Sequence, residues 1–229
     1  GAKSVLETVQ SVNEFNSAIT GFGTVLVDNG AVTFNNTVKV KELAVENGSV
    51  VDIGKNAAVT VTNIITSGSV ASKLIYTDAE YKPVAVTGNI TGNVKLEVGI
   101  SYKKTAASAG EGQEPAVETV SRFAKDDVVL VSKNANLAAV DASESLPEGT
   151  TLGRDKSDIK VMDIVATMNG VEYAQWSDIT STIAAAAKAD KNAAKTAVYN
   201  ITLFKELDAK GALKMPAAGT FGTLIIRSD

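Results

Sequence analysis

The chain has 229 residues, a net charge of −4 and only 5% aromatic residues, so its core must come from Val, Ile, Leu and Ala. It contains no cysteine and no histidine, which excludes disulfides, iron–sulfur and thiolate-zinc sites, Ser/His/Asp and Cys/His nucleophiles, His-ligated metals and imidazole bases within it. An acidic balance without basic runs among aromatics argues against a nucleic-acid partner, no stretch is long and apolar enough to span a bilayer, and no cofactor is expected.

The first stretch, SVLETVQSVNEFNSAI (4–19), predicts a helix or helical turns. It is followed by GFGTVLVDNG (21–30), whose Phe-Gly-Thr and three apolar residues recur in TFGTLIIRSD (220–229). Residues 24–76 then form a series of short β-type runs, TVLV, AVTF, TVKV, LAV, SVVDI, AVTVT, NIIT and KLIYT. Between them stand DNG, NN, ENGS, GKN and SGS, residues that accept positive φ or bond their own backbone.

Three of these junctions fit one template: VDNGAV (27–32), VENGSV (45–50) and ITSGSV (65–70), with a looser echo in VTGNI and ITGNV between 86 and 94. A period of about twenty residues with short strands and no helix is the size of one coil of a β-solenoid. On that reading Val27, Val45 and Ile65 form one interior ladder, Val32, Val50 and Val70 another, and Gly30, Gly48 and Gly68 recur at corners. The alternative is a set of antiparallel β-sandwich modules, whose hairpins also use Asn-Gly turns but require no such period.

The composition changes after residue 102. KKTAASAGEGQEPAVET (103–119) predicts an exposed excursion, and SLPEGTTLGRDKSD a second turn-rich connection. IKVMDIVATMNGVEYA predicts a hairpin around Asn169-Gly170. From Trp176 the chain turns helical, with Ser177 or Asp178 as N-cap and Ile179, Ile183, Ala186 and Ala187 on one stripe. The strand YNITLFKEL comes next, and then the second Phe-Gly-Thr phrase.

The order Tyr173, Trp176, Ala-rich helix, YNITLFKEL and VDNGAV-type coils resembles right-handed parallel β-helices of pectate-lyase-like architecture. In this form it is similar to repeat-bearing, adhesin-like surface proteins of bacteria. The resemblance implies a mostly β fold in three parts: 1–102, a helical lead-in with β-helix coils; 103–170, a loop-rich insert or small β module; and 171–229, a helix with the first strands of a second, incomplete coil series. The start at Gly1 reads as a mature or excised fragment, and FGTLIIRSD as an interrupted beginning within a longer repeating protein.

The function implied is non-enzymatic: an extracellular structural or adhesive segment, with neighbouring repeats, a glycan or a host or surface protein as partners. Tyr173 and Trp176 are the candidate ligand-stacking residues, against the plainer reading that Trp176 packs the helix down. Asp155 and Asp158, beside Arg154 and Lys156, are the candidate cation ligands, although GRDKSD lacks the spacing of a calcium loop. Two alternatives stand beside this. One is a polysaccharide lyase or hydrolase using Asp126, Asp127, Asp155 and Asp158, with Asp163 nearby; the other is an immunoglobulin-like wall spacer.

Overall fold

A computed structural model describes residues 4–105, 117–204 and 216–228. The chain divides into two units, Gly1–Pro147 with Asp155–Lys160, and Glu148–Arg154 with Val161–Asp229. The segment expected as a separate insert, 103–170, contributes to both, and residues 106–116 of the expected excursion lie outside the described residues.

In the first unit, alternating apolar and polar residues make one short strand after another. They are β1 (Val5–Val9), β2 (Val12–Phe15), β3 (Ile19–Thr20), β4 (Thr24–Asp28), β5 (Ala31–Phe34), β6 (Val38–Glu46), β7 (Val50–Ile53), β8 (Val59–Ser67) and β9 (Ser72–Tyr76). Next come β10 (Val84–Val86), β11 (Ile90–Gly92), β12 (Leu96–Ile100), the antiparallel pair β13 (Tyr102–Thr105) and β14 (Val117–Val120), then β15 (Val128–Val131) and β16 (Val140–Asp141). One sheet joins β1, β4, β6, β8, β10 and β15 in that order, all parallel, and continues beyond β15 with an antiparallel neighbour, the strand Asp158–Asp163. The other joins β2, β5, β7, β9, β12 and β16, also all parallel. Apart from β3 and β11, which join β6 and β8, and the β13–β14 hairpin, successive strands alternate between the two sheets; up to β12 each lies beside a strand laid down about twenty residues earlier, while β15 and β16 follow their partners β10 and β12 by about 45 residues.

Parallel register stacks like on like. Leu6, Val25, Leu43 and Ile64 fall in one column and Thr8, Val27, Val45 and Thr66 in the next. In the other sheet Val32, Val51, Leu74 and Val98 stand beside Phe34, Ile53, Tyr76 and Ile100. All of these except the half-buried Leu6 are buried. Buried hydroxyls find carbonyls: Ser72 Oγ donates to Val45 O at 2.9 Å and Thr66 Oγ1 to Val94 O at 2.6 Å.

Three sequence expectations are corrected here. The stretch 4–19 is strand, not helix, because Leu6 and Thr8 turn inward while Val5, Glu7 and Val9 face water, a period of two that β4 completes. Ile65 pairs with Ala44 on the outer side, and Thr66 takes its place beneath Val45. Val50 likewise pairs with Ala31, Val51 continues from Val32, and Val70 is exposed outside any strand. The glycines do mark corners, but the turns around them differ in length, and a one-residue difference moves a side chain to the other face.

The Phe-Gly-Thr phrase has a definite geometry. Its Gly23 and Thr24 N–H groups both donate to Ser4 O, at 2.8 and 3.2 Å, and the Gly23 carbonyl in turn accepts from Lys41 and Glu42, at 3.1 and 3.0 Å. TVKV and LAV therefore fall in one strand, β6, whose first residues pair with β3 and whose later ones pair with β4. Tyr76 lies buried against Tyr81 and Phe123; its hydroxyl donates to Val129 O at 2.6 Å and accepts from Val84 N at 3.0 Å. Burial pushes the Tyr76 phenol well above its ordinary pKa, so it stays neutral and keeps both bonds.

Beyond β17 (Thr150–Asp155) and β18 (Asp158–Asp163), the second unit contains β19 (Ala166–Met168), β20 (Val171–Tyr173), α1 (Trp176–Ala189), α2 (Lys191–Ala194), β21 (Val198–Leu203) and β22 (Thr223–Ser228). The expected hairpin joins β19 to β20, with Asn169 and Gly170 both at positive φ. β21 is antiparallel to β19 and parallel to β22. Trp176, Ile179 and Ile183 of α1 pack onto Ala166, Met168, Tyr199 and Ile201. Ala187 completes the buried stripe, whereas Ala186 is exposed and Gln175 is the N-cap.

Here the second Phe-Gly-Thr repeats the first. Gly222 and Thr223 N–H both donate to Ala197 O at 3.0 Å, and Ala197 precedes β21 as Ser4 precedes β1. A Cβ on Gly222 would stand 2.6 Å from Lys195 O, so this close approach requires glycine.

Leu43 sits fully buried in the middle of its column. Leu43→Ala is expected to cost about 2–5 kcal/mol in urea unfolding, whereas Val12→Ala, at 84% exposure, should leave the midpoint within error.

Candidate functional site

The outer side of the second sheet carries the first unit's most organised polar surface. Strand pairing sets Lys73 of β9 beside Glu97 of β12, and Glu97 beside Asp141 of β16, with Glu144 in the helical turn that follows. Lys73 Nζ lies 2.9 Å from Glu97 Oε2 and 3.8 Å from Glu144 Oε2, and Lys95 Nζ lies 3.9 Å from Asp141 Oδ2. Lys73, Ile75, Glu97, Asp141 and Glu144 line a cleft of about 250 Å3. Gly99 opens it: a Cβ there would press on Ile75 Cδ1 at 3.0 Å and Ser145 Oγ at 3.1 Å.

The electrostatics favour the charged forms of Lys73 and Asp141. The hydrogen bond to Glu97 raises the Lys73 pKa, outweighing partial burial, with the charges of Glu97 and Glu144 adding to it. Burial pushes Asp141 up, but Ser143, whose N–H donates to Oδ1 at 2.9 Å, and the Lys95 charge outweigh it and hold the carboxyl below its ordinary value. Fixed ionic donors and acceptors around a shallow cleft suit polar contacts to a hydroxylated or charged surface. A second depression of about 410 Å3, lined by Thr77, Asp78, Ala79, Tyr102, Lys103 and Lys104, lies on the same unit.

The residues singled out from the sequence fall elsewhere. Asp126 has φ 70° in the turn before β15, and Asp127 Oδ2 accepts the Ala124 N–H at 2.7 Å, so the two aspartates shape that turn and form no shared site. Asp155 and Asp158 flank the β17–β18 turn, where Lys156 has φ 56°. Asp155 Oδ2 pairs with Lys160 at 3.2 Å, and Ser157 Oγ donates to Asp158 Oδ1 at 3.4 Å. Among the described residues no three Asp, Glu, His or Cys side chains converge to hold a metal. Trp176 is only 8% exposed in the α1 core with Tyr173 half-buried against it, so its ring packs the helix and offers no stacking platform.

The Lys73 cluster was missed because its members lie far apart in sequence, brought together only by stacked register; the available signal was the outward alternation in SKLIY and LEVGI. Comparison with protein-family models, with curated proteins and with solved structures gave no match. Among the described residues no helix is long and apolar enough to cross a membrane.

Asp52, in the outer column between Thr33 and Ile75, has its pKa raised by partial burial. Folding therefore favours its protonated form, and its contribution to stability is present at low pH and lost as pH rises through the raised pKa. Asp52→Asn is expected to be more stable than the parent at pH 7, by under about 1 kcal/mol because the group is half in water, with the difference vanishing below about pH 4 in paired melts.

Proposed function

We propose that this chain is a non-enzymatic structural and adhesive segment of an extracellular bacterial surface repeat protein, built as a right-handed parallel β-helix with the α1 region joining two coil series. The observation that carries the reading is the parallel stacking of β4 on β1, β6 on β4 and β8 on β6 in one sheet, and of β5 on β2, β7 on β5 and β9 on β7 in the other, in a register that repeats strand after strand. A stack of this kind satisfies each layer's backbone groups on the next and leaves long, rigid outer faces. The Lys73–Glu97–Glu144–Asp141 cleft is the contact point on one such face, suited by its ionic donors and acceptors to a glycan or a polar protein surface. The paired phrases at 22–27 and 221–226, each docked through two N–H groups on the carbonyl before the preceding strand, support two coil series within a repeating protein.

The test is a panel of soluble polysaccharides, read for retention on the immobilised protein and for new reducing or unsaturated ends. The expected result is retention of one class without new ends, weakened about tenfold by Lys73→Ala, equivalent to about 1.4 kcal/mol. Turnover that disappears in Asp127→Ala would overturn the reading in favour of a lyase or hydrolase.

A further inference from the structure

The outer side of the first sheet differs in charge from that of the second. Register sets the outward residues of β1, β4, β6 and β8 in three rows. The middle row runs Glu7, Leu26, Ala44, Ile65; one flanking row carries Glu42 between Thr24 and Asn63, and the other carries Asp28 and Glu46 side by side. Leu26 and Ile65 are half-buried and Ala44 is 5% exposed, so the small residue leaves a notch between two larger ones. Val5 and Val9, exposed by 55% and 43%, widen the apolar area beside Glu7.

No lysine or arginine stands in these rows; Lys39 and Lys41 belong to the part of β6 that precedes them. Among the described residues Glu7, Asp28, Glu42 and Glu46 form no ion pair. Glu42 Oε1 accepts from Thr24 Oγ1 at 3.4 Å and Asp28 Oδ1 from Asn47 Nδ2 at 2.7 Å, neutral donors that leave the charges uncompensated. On the second sheet, by contrast, Glu97 has Lys73 and Asp141 has Lys95. Like charges on adjacent strands, as at Asp28 and Glu46, work against the sheet that carries them and favour a cationic surface settling over them. The spacing limits what shape that surface has. Glu42 and Glu46 lie four residues apart on one strand, about 13 Å, and an α-helix is about 10–12 Å across. Strands about 4.8 Å apart set Leu26, Ala44 and Ile65 at nearly the interval of helix residues i, i+4 and i+7, which follow one another at about 5–6 Å.

We propose that this face docks a basic amphipathic helix of a partner protein, laid along the middle row and across the strands. Its apolar residues at i, i+4 and i+7 rest on Leu26, in the Ala44 notch and against Ile65. Lysines or arginines on its two flanks reach Glu42 on one side and Asp28 and Glu46 on the other. The apolar row supplies affinity, while the acidic borders select the sign of the partner and speed its arrival. From β1 to β8 the row spans about 14 Å, the length of about ten helical residues, so the contact is small and suits a transient partner. It lies on the other sheet from the Lys73 cleft, and either contact can exist without the other.

Fluorescence anisotropy of the whole chain with labelled synthetic peptides of about 18 residues, long enough to be helical, tests it. One peptide carries leucines at i, i+4, i+7 and i+11 with lysines on both flanks; a second has glutamates in place of the lysines; a third keeps the composition of the first but scatters the leucines. Only the first is expected to bind, in the micromolar range, and about tenfold more weakly when salt is raised from about 0.05 to about 0.5 M. Glu42→Gln with Glu46→Gln should weaken it at least about tenfold without lowering the melting midpoint, since no ion pair is lost. Glu14→Gln with Glu118→Gln, an equal change of charge elsewhere on the first unit, should leave binding unchanged. Leu26→Ser with Ile65→Ser should abolish it; if that variant melts early, the scattered-leucine peptide tests the apolar row in its place. Absence of binding by the first peptide, equal binding of the scattered one, or equal affinities in the two glutamine variants would each overturn the proposal. Polysaccharide retention by the Glu42→Gln, Glu46→Gln variant reports separately on the Lys73 cleft.

Discussion

Parallel pairing of one strand with another laid down about twenty residues earlier, repeated from β1 to β12, is the constraint on which the first unit depends. Parallel neighbours cannot be joined by a tight hairpin, so the intervening chain must travel away and return. Here it travels through the other sheet. That single requirement fixes the alternation of sheets, puts like residues in columns, and leaves the corners as the only places where spacing can vary. The columns it builds are mostly Val, Leu and Ile, which repeat at one strand spacing, with the buried rings of Phe34 and Tyr76 among them.

Much of this was legible in the amino-acid order. The Asn-Gly and Ser-Gly junctions do close β4, β6 and β8, Val27 does stack on Val45, and Asn169-Gly170 does close a hairpin. The errors have one origin. Aligning the junctions on glycine assumes corners of constant length, yet the chain goes from Val45 to Thr66 and from Val32 to Val51, so Ile65 and Val50 were assigned to the wrong face. The same local reading made 4–19 a helix, because five of its residues alternate weakly and only the partner strand β4 reveals which side is inward. The Lys73 cluster could not be read locally at all, since its four charged groups come from three strands and a turn.

The carboxylates fared differently from one another for an equally physical reason. Asp127 stands in the turn before β15, where its carboxylate accepts from its own backbone, and Asp155 at the very end of β17, where it reaches a nearby lysine. Asp52 and Asp141 stand in strands, where stacking holds them among neighbours and partly out of water. Position in the fold, more than local sequence, therefore decides what surrounds Asp52 and Asp141, raising the one and lowering the other. The same holds for Trp176, whose place at the start of α1 turns it toward Ile179 and Ile183 and away from any solute.

Tyr76 has a consequence for how the first unit melts. An array of layers that touch only their neighbours can fray from one end, each layer leaving without disturbing those further in. The Tyr76 ring, rooted in β9, holds Val84 at the start of β10 and Val129 in β15, a partner 53 residues away in the chain. β15 therefore cannot peel off without exposing a phenol that is fully buried in the intact unit. One hydroxyl thus ties the far end of the array to its middle, and favours loss of that end as a block over strand-by-strand fraying.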